Sequence, residues 1–554
     1  MSFLRGIFKK TAAMLTAGIT AAILMPPVIS VNAENEQRII GYYGDLDADF
    51  RLTLADIRIM QNWLAGELHD FSAFPETRPE YADMDHNGRI DAVDLSIAKH
   101  LCLTNGRLEP VYETYESGPL IPSAAAQMNA TLGSTGNSRI PVFVVSFPDC
   151  AFPYSVSDPV KKVQEMVFSE ADPQSHYYPM ESVTAYYDRA SYGRMHIEGD
   201  VYRYEAESPL SYYVPYPEYL FDEILWAFNA QIDFSQYDRD GDKRIDCMIA
   251  VLPEDALGSD VDGDGQEDWW PFSNRSFSSY SVDGVSVGEY CMGGHNLDDV
   301  FAFNGTWIHE LGHAMGLDDY YKYTVDAADT NQSIYGLNGP AGWEMMDDAK
   351  GDYSSFSKLM LGWLAENEVQ VYTGGTQTFR LYSAQQHPSC ILIPRNPEEG
   401  LLSEYFLVEY LLPESNYAPL SLFGMPAPFF EEGGIRILHC DAHSALSDYG
   451  LEFKWNNWSK QYDKSNLRQR ILRLVNEAEG GMLFGSGETV NSSISGFRWY
   501  DTDGFQTVDP HLTVQIGSCF VAQDEQWEKA AWDPGNQLSD SWFSVTITDG
   551  QVNP

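Results

Sequence analysis

Apolar residues recur at helical spacing in two short segments near the amino end of the chain, I-R-I-M-Q-N-W-L at 57–64 and L-S-I-A-K-H-L at 95–101. Residues three and four positions apart share one face of a helix, so each segment predicts an amphipathic helix. Each helix follows an aspartate-rich stretch, and the two stretches begin 38 residues apart, at Asp45 and Asp83. The pattern therefore predicts a tandem pair of loop–helix units within residues 41–103.

A different pattern begins at Arg139. The apolar run Val142–Phe147 predicts a buried strand, and helix-capping residues follow at Ser157-Asp158-Pro159 and Ser182. Strands that alternate with helices are typical of an α/β domain, which we place at residues 139–368. Within it, the partly alternating segment Val285–Met292 predicts a strand at the edge of its sheet.

The remaining regions have other patterns. Residues 104–138 contain Pro110, Pro119 and Pro122 among many small polar residues, which is typical of a linker. Residues 369–554 contain short alternating strands separated by turns, and they predict a mostly-β C-terminal region that packs on the α/β domain as a sandwich. The predicted fold class is therefore multidomain: an all-α loop–helix pair, an α/β domain and a mostly-β region.

Charge narrows the classes of partner. The 554-residue chain has 34 basic and 81 acidic residues, a formal net charge of −47. Such a surface repels nucleic-acid phosphates and anionic membranes, so we expect neither as a partner. Seven cysteines lack C-x-x-C spacing, so they predict neither a zinc cluster nor a redox motif, and the sequence assigns no disulfide pairing.

The first 33 residues have the pattern of a secretory signal peptide. Basic residues at Arg5, Lys9 and Lys10 precede an apolar stretch at 11–25, and the small-residue sequence V-N-A ends at Ala33. We expect removal of residues 1–33 and a mature, secreted, extracellular chain that starts at Glu34. An uncleaved anchor is the alternative, although the apolar stretch is short for a membrane span.

The two aspartate-rich stretches are twelve-residue loops with side-chain oxygens at positions 1, 3, 5, 9 and 12. Calcium takes six to eight oxygen ligands, and loops of this kind add a backbone carbonyl at position 7. The repeat therefore predicts two Ca²⁺ sites, with position 7 contributed by the backbone of Arg51 and Arg89. The predicted ligands are Asp45, Asp47, Asp49, Arg51, Thr53 and Asp56 in the first loop, and Asp83, Asp85, Asn87, Arg89, Asp91 and Asp94 in the second.

Two partial acidic loops lie inside the predicted α/β domain. Both have oxygen-bearing residues at alternating positions but lack an acid at position 12, so further ligands would have to come from elsewhere. Turn chemistry of Asp and Gly is the alternative explanation. The candidate calcium ligands are Asp238, Asp240, Asp242 and Asp246 in one loop, and Asp260, Asp262, Asp264 and Asp268 in the other.

The main candidate for chemistry is H-E-L-G-H at 309–313. On a helix, His309 and His313 share one face and can bind one Zn²⁺ ion, while Glu310 acts as the base that takes a proton from the attacking water. Gly316 can end the helix in a left-handed turn and return the chain at Asp319, the predicted third zinc ligand. The full pattern has the metzincin layout with aspartate in place of the third histidine.

Other residues are candidates for supporting roles. Metzincins have a methionine turn below the metal, and G-W-E-M-M-D at 342–347 places Met346 there, in preference to Met345. Tyr320, Tyr321 or Tyr353 would stabilise an oxyanion, and no spacing selects one of them. His295 is a rival ligand, although a lone loop histidine is more often structural. The same holds for His196 on a predicted strand and for the group His439, Asp441 and His443.

These motifs carry a resemblance to a known family. Several segments resemble the immune inhibitor A family of secreted zinc metallopeptidases. They are residues 309–321, W-E-M-M-D at 343–347, S-S-F-S-K-L-M-L-G-W at 354–363, P-V-F-V-V-S-F-P-D at 141–149 and S-V-T-A-Y-Y-D-R-A-S-Y-G at 182–193. The resemblance spans roughly residues 138–445 and implies a metzincin-like domain that hydrolyses peptide bonds. It departs from the commoner pattern at Cys440, where an aliphatic residue is expected.

The loop–helix repeat resembles a dockerin module of the cellulosome type, which implies docking onto a cohesin domain of a scaffolding protein. Phe50 occupies position 6 of the first loop, where glycine makes the sharp turn, and this weakens the prediction for the first calcium site. A calcium-stabilised helix pair without a partner is the alternative.

The leading hypothesis is therefore a secreted zinc endopeptidase that a dockerin attaches to a scaffold. A non-catalytic binding module is the second hypothesis, and intact His309, Glu310 and His313 argue against it. A glycoside hydrolase is the third; it requires two carboxylates across a sugar cleft, and the sequence does not locate such a pair.

Overall fold

A computed structural model describes most of the chain between residues 36 and 549. Predictions for residues 1–33, for residues 45, 47, 49, 51 and 53 of the first calcium loop, and for the loop 260–268 fall outside the described residues. The described residues are 36–44, 46, 52, 54–66, 79–104, 110–115, 130–153, 156–256, 270–321, 342–397, 399–422, 425–427, 429–447, 450–454, 470–476, 483–500, 507–523, 526–529 and 541–549.

The amino-terminal unit is a pair of helices, α1 (Leu54–Ala65) and α2 (Ala92–Thr104). Apolar side chains from both helices and from the segments before them form a small separate core. A 3₁₀ turn at Pro79–Ala82 leads into the second acidic loop. The helix pair is the fold that the two amphipathic segments predicted.

The stretch predicted as a linker, 104–138, contains regular structure at both ends. Strand β2 (Pro110–Tyr115) pairs antiparallel with β1 (Glu36–Tyr42), so these two strands bracket the helix pair. Leu132 is fully buried, and strand β3 already begins at Gly136. The α/β domain therefore starts several residues before Arg139, because proline and small polar residues mark turns as readily as tethers.

A five-stranded sheet forms the centre of the α/β domain. Its order is β4-β3-β6-β10-β7, with β3, β4, β6 and β10 parallel and β7 antiparallel to β10. The prediction of an edge strand at Val285–Met292 is wrong, since β10 lies between two neighbours and β7 is the outer strand. The strands are β3 (Gly136–Ser146), β4 (Met195–Glu205), β6 (Met248–Pro253), β7 (Phe272–Arg275) and β10 (Glu289–His295).

Helices cover both faces of this sheet. On one face, α3 (Pro159–Phe168), α4 (Val183–Ala190) and α7 (Val300–Ala314) share a core with alternate residues of the strands. On the other face, α5 (Leu210–Tyr213) and α6 (Glu218–Phe228) pack on the intervening residues. Both faces are buried, which explains why the central strands are continuous apolar runs.

The C-terminal region is a sandwich of two sheets. The first sheet has the order β11-β13-β14-β17-β20. The second has the order β12-β26-β24-β21, and β25 pairs with β24. The side chains between the two sheets form a third core. The strands are β11 (Val369–Val371), β12 (Thr376–Tyr382), β13 (Cys390–Pro394), β14 (Glu404–Leu411), β17 (Gly434–Asp441), β20 (Leu472–Leu474), β21 (Thr489–Val490), β24 (Leu512–Gln523), β25 (Gln526–Lys529) and β26 (Ser541–Asp549).

The sandwich and the α/β domain share one continuous core around α8 (Met345–Asp348) and α9 (Ser355–Met360). A buried ion pair lies on each side of the junction, Lys358 with Asp352 at 2.7 Å and Arg436 with Glu409 at 2.5 Å, and Lys358 also donates to the sandwich at the carbonyl of Ala384. Arg436 also donates to the carbonyl of Trp343 at 2.8 Å, so the sandwich holds the segment that precedes α8.

Short elements complete the described structure. None of its helices has the length and apolar character needed to cross a membrane. The remaining strands are β5 (Arg244–Ile245), β8 (Ser281–Val282), β9 (Val285–Val287), β15 (Leu420–Leu422), β16 (Met425–Ala427), β18 (Ser444–Ser447), β19 (Gly450–Phe453), β22 (Trp499–Tyr500) and β23 (Thr507–Val508), and the remaining 3₁₀ turns are Phe234–Tyr237, Glu254–Ala256, Glu366–Glu368 and Ser415–Tyr417.

Candidate metal centres

The H-E-x-x-H segment lies on α7, the helix that packs on one face of the sheet along β10 and β7. Asp299 caps its first turn by accepting a hydrogen bond from the backbone of Ala302. The helix ends in a Schellman turn: Gly316 has φ +95°, its N–H donates to His313, and the N–H of Leu317 donates to Gly312. This left-handed turn, which the sequence predicted at Gly316, returns the chain to the helix.

The turn brings three side chains together. The Nε2 atoms of His309 and His313 lie 2.9 Å and 3.2 Å from Oδ1 of Asp319. One possible ligand atom from each of these three residues lies within 4.8 Å of the other two. All three predicted zinc ligands therefore meet at one point.

Hydrogen bonds fix the orientation of both imidazoles. Nδ1 of His309 donates to the carbonyl of Met345 at 2.8 Å, and Nδ1 of His313 donates to the carbonyl of Leu317 at 2.8 Å. A carbonyl oxygen only accepts, so each neutral ring carries its proton on Nδ1 and directs an Nε2 lone pair towards the carboxylate of Asp319. Lone pairs facing a carboxylate at this distance require a positive charge between them. The donor set thus fits a zinc ion bound by two imidazoles and one carboxylate.

The electrostatics of these three side chains agree with this arrangement. Burial opposes a charged imidazolium, but the carboxylate of Asp319 outweighs the effect of burial. It raises the pKa of His309, and it raises the pKa of His313 to about 10. Burial would raise the pKa of Asp319, yet the two histidines hold it well below its usual range. The site binds positive charge, whether protons or a metal ion supply it.

Glu310 lies beside the three ligands and is only 6% exposed. Burial raises the pKa of its carboxyl group, and His309 and His313 oppose this rise. The backbone N–H of Ser273, on the edge strand β7, donates to the same carboxylate. Glu310 is therefore held next to the centre without being one of the converging ligands, the position that a general base requires.

The methionine segment forms the short helix α8 below α7. A Cβ atom added to Gly312 would lie 2.5 Å from Sδ of Met346, so this sulfur touches the backbone between the two histidines. Met345 contributes the carbonyl that orients His309. Met346 thus supports the helix by packing, and Met345 supports the ligand by hydrogen bonding.

The structure separates the three tyrosine candidates. Tyr320 hydrogen-bonds to Ser357 at 3.0 Å, and Tyr353 donates to the carbonyl of Ile308 at 2.9 Å, so both phenols are engaged behind the helix. The phenol of Tyr321 hydrogen-bonds to Asp319, and its ring lies 6.2 Å from that of His309. Tyr321 is the tyrosine that contacts the centre.

The rival histidines lie elsewhere. His295 packs against Phe303 and Trp307, where burial lowers its pKa to about 4. His196 pairs with Asp188 at 3.0 Å. In the sandwich, His439 donates to Glu404 at 2.8 Å and His443 to Asp441 at 2.5 Å, so they form two separate pairs.

Sequence reasoning missed the backbone supports of this centre: the carbonyls of Met345 and Leu317 and the N–H of Ser273. Every residue has a carbonyl and every residue except proline has an N–H, so no residue pattern could have identified them. For Met345 alone, the methionine motif gave an indirect signal.

The second loop of the amino-terminal unit also gathers carboxylates. Asp83, Asp85 and Asp94 have oxygens within 4.8 Å of one another. Asp94 is fully buried and accepts from the N–H of Met84 at 2.8 Å and of Asp91 at 2.7 Å. Gly88, at position 6, has φ +80°, the turn conformation that such a loop requires.

The first loop repeats one of these contacts. Asp56 is fully buried and accepts from the N–H of Leu46 at 2.6 Å, ten residues earlier, as Asp94 does from Met84. The aspartate at position 12 thus closes both loops in the same way. Asn87, Arg89 and Asp91 lie in the second loop as predicted, where the N–H of Arg89 donates to Asn87 at 2.9 Å.

The loop inside the α/β domain has a related geometry. Asp238, Asp240 and Asp242 have oxygens within 4.8 Å of one another and are largely exposed. Asp246 is buried, accepts from the N–H of Arg239 at 3.1 Å, and has its pKa raised by burial to about 7. The first three predicted ligands come together, and Asp246 closes the loop from inside.

Comparison with known proteins identifies the amino-terminal unit. The model of the dockerin type I domain matches residues 43–101. No curated protein matches the chain.

Two solved structures of OgpA from Akkermansia muciniphila give weak likenesses, each at 11% sequence identity. The catalytically inactive form in complex with an O-glycopeptide (glycodrosocin) substrate aligns over 52% of this chain and 75% of that chain, with a TM-score of 0.18. The wild-type form aligns over 61% of this chain and 97% of that chain, with a TM-score of 0.22. These scores are too low to establish a shared fold.

The dockerin match confirms the prediction made from the two loop–helix units, and it supports calcium as the ion of that unit. It also indicates an extracellular, cellulosome-associated protein. Residues 43–101 are a dockerin type I domain, which supports attachment of the chain to a cellulosome-type scaffold by binding of a cohesin.

Proposed function

We propose that the α/β domain is a zinc-dependent endopeptidase and that the dockerin delivers it to a scaffold. One observation carries this proposal. Both imidazoles donate from Nδ1 to backbone carbonyls and direct Nε2 at Asp319, and Glu310 is buried beside them. Two helix histidines that served only the core would have no reason to direct both Nε2 atoms at one carboxylate.

His309, His313 and Asp319 would hold the ion. Bound zinc would supply the positive charge that polarises a scissile carbonyl and acidifies a water molecule. Glu310 then accepts the proton of that water and passes it to the leaving amine, and its raised pKa suits both steps. The N–H of Ser273 keeps this carboxylate in place during the transfer.

The outer strand β7 offers a place for a peptide substrate. Within the described residues, β10 pairs with one edge of β7 and no strand pairs with the other. An extended peptide that adds to this edge would lie next to Ser273, which contacts Glu310. This geometry favours cleavage within an extended chain. The resemblance of the motifs to immune inhibitor A peptidases supports the same reaction.

The experiment compares the secreted chain with its Glu310→Gln variant on a fluorogenic protein substrate, with zinc measured in both. We expect about one zinc per chain in each protein and a loss of activity of roughly 10²- to 10⁴-fold in the variant. Glu198→Gln, an exposed position on β4, is the matched control and should retain full activity.

Other outcomes would decide against the proposal. Zinc in both proteins without hydrolysis of any protein substrate would favour the non-catalytic binding module. Absence of zinc from the wild-type chain would contradict both the peptidase and a zinc-holding binding module. Release of reducing sugar from polysaccharide, unaffected by Glu310→Gln, would favour a glycoside hydrolase.

A further inference from the structure

One cation stands out in the segment that builds the proposed active site. Between residues 245 and 321 the sequence has a single lysine or arginine, Arg275, against fifteen acidic residues. It is the last residue of β7, the outer strand of the sheet, and its side chain is 41% exposed. A partly exposed cation in such acidic surroundings is a candidate for contact with a substrate.

Strand geometry places Arg275 beside the proposed base. Ser273 and Arg275 are two residues apart on β7, so their side chains share one face of the sheet. The N–H of Ser273 donates to Glu310, and its hydroxyl donates to Glu289 at 2.9 Å. The other oxygen of Glu289 lies 3.8 Å from Nε of Arg275. Arg275 therefore lies one step along the strand from the residue that holds the base.

The guanidinium of Arg275 is only loosely held. Its distance of 3.8 Å from Glu289 is too long for a hydrogen bond. Glu289 is nearly buried and already accepts hydrogen bonds from Ser273 at 2.9 Å and from Thr131 at 3.3 Å. Among the described residues, none accepts a hydrogen bond from the terminal nitrogens of Arg275. These two nitrogens form a planar fork that matches the two oxygens of a carboxylate.

A peptide on the outer edge of β7 would bring one of its side chains to this fork. Directly opposite residues of neighbouring strands place their side chains on the same face, with Cβ atoms about 4.5–5.5 Å apart. A peptide residue paired with Ser273 would lie next to Glu310, and the residue paired with Arg275 would be two positions away. An aspartate or glutamate at that position would meet the guanidinium, whereas a lysine or arginine would be repelled.

We propose that Arg275 is a specificity-determining residue that selects Asp or Glu at one position of the peptide substrate, two residues from the one paired with Ser273. The inference rests on the proposed function, since it takes the outer edge of β7 as the place where the peptide binds. The selection is local, because a chain with a net charge of −47 repels acidic peptides as a whole. A single acid in an otherwise neutral segment should therefore be favoured over a run of acids.

The test uses short fluorescent peptides of one neutral sequence in which Asp replaces Asn at one position at a time. Wild type should hydrolyse the peptide with Asp at one position, close to the cleaved bond, with a kcat/KM about tenfold above that of its Asn counterpart. Arg275→Gln should reduce this ratio to about one, and Arg275→Lys should retain part of it. Arg203→Gln is the matched control, since Arg203 is an exposed cation on β4, at the opposite edge of the sheet, and should leave the ratio unchanged.

A second measurement separates the inference from the proposed function. Fluorescence anisotropy of the same peptides with Glu310→Gln measures binding without cleavage, and the double variant with Arg275→Gln should lose the preference for Asp. Zinc content should be the same in all variants.

Equal binding and cleavage of every Asp and Asn pair would overturn the inference, as would a preference for Asp that survives Arg275→Gln. A preference in binding that Arg275→Gln removes, without hydrolysis by wild type, would support the role of Arg275 and overturn the peptidase alone. Neither binding nor hydrolysis of any peptide would overturn both.

Discussion

The second dockerin loop and the His309 centre both collect metal ligands from a short stretch of chain, but they are supported differently. In the loop, Asp94 is oriented by the N–H groups of Met84 and Asp91, which lie within the same twelve residues. At the His309 centre, the ligands lie within eleven residues, yet His309 depends on Met345 and Glu310 depends on Ser273. The loop is thus a local structure, whereas the centre exists only when distant segments have assembled.

The largest expected difference comes from removing one of the proposed zinc ligands. His313→Ala should lower zinc from about one per chain to near zero and abolish peptide hydrolysis, because two ligands hold zinc poorly. Binding to an immobilised cohesin should be unchanged, since the carboxylate that closes the second loop is oriented from within that loop. Metal analysis and cohesin pull-down of the same sample check this. Loss of both functions together would show that the two regions are not independent.

The converse change should affect the dockerin alone. Asp94→Ala removes the carboxylate that closes the second loop, and we expect calcium affinity to fall by about 10- to 100-fold, with cohesin binding falling alongside it. Calorimetric titration with calcium measures the first effect. Asp91→Asn, which keeps an oxygen ligand at position 9, is the milder control. A variant that lost peptide hydrolysis as well would contradict local support of the loop.

A smaller change tests whether the proposed zinc centre depends on its neighbours. Tyr321→Phe removes the phenol that hydrogen-bonds to Asp319 and should weaken zinc binding by about tenfold. Competition with a zinc chelator measures this affinity directly. Tyr320→Phe is the matched control, because its phenol bonds to Ser357 instead. If turnover at saturating zinc falls as well, Tyr321 also contacts the reacting group.

The smallest expected effect concerns the packing below the centre. Gly312→Ala would place a methyl group 2.5 Å from Sδ of Met346 and 2.9 Å from the phenol oxygen of Tyr353. We expect the free energy of unfolding of the domain to fall by about 1–3 kcal/mol. Urea unfolding followed by tryptophan fluorescence measures it. Thr306→Ala, on the partly exposed side of the same helix, is the control and should change stability little. If Gly312→Ala left the free energy of unfolding unchanged, Met346 would be able to move away from the added methyl group.

The loop–helix units show what a local pattern can determine. The alternating oxygens, the buried Asp94 and the left-handed Gly88 lie within a few residues of one another, so the sequence alone predicted the dockerin and its calcium ligands. The same holds for α7 and the turn at Gly316, whose geometry follows from helical spacing and from glycine's tolerance of positive φ.

The tertiary structure decided the rest. Which strand lies at the edge depends on pairing between segments far apart in sequence, so the alternation at Val285–Met292 could not reveal it. Likewise, only the assembled fold selects Tyr321 over Tyr320 and brings the carbonyl of Met345 to His309, since hydrogen bonds to backbone atoms leave no trace in residue identity. The sequence by itself predicted which side chains come together, because they lie close along the chain, and the packing of distant segments determined what orients them.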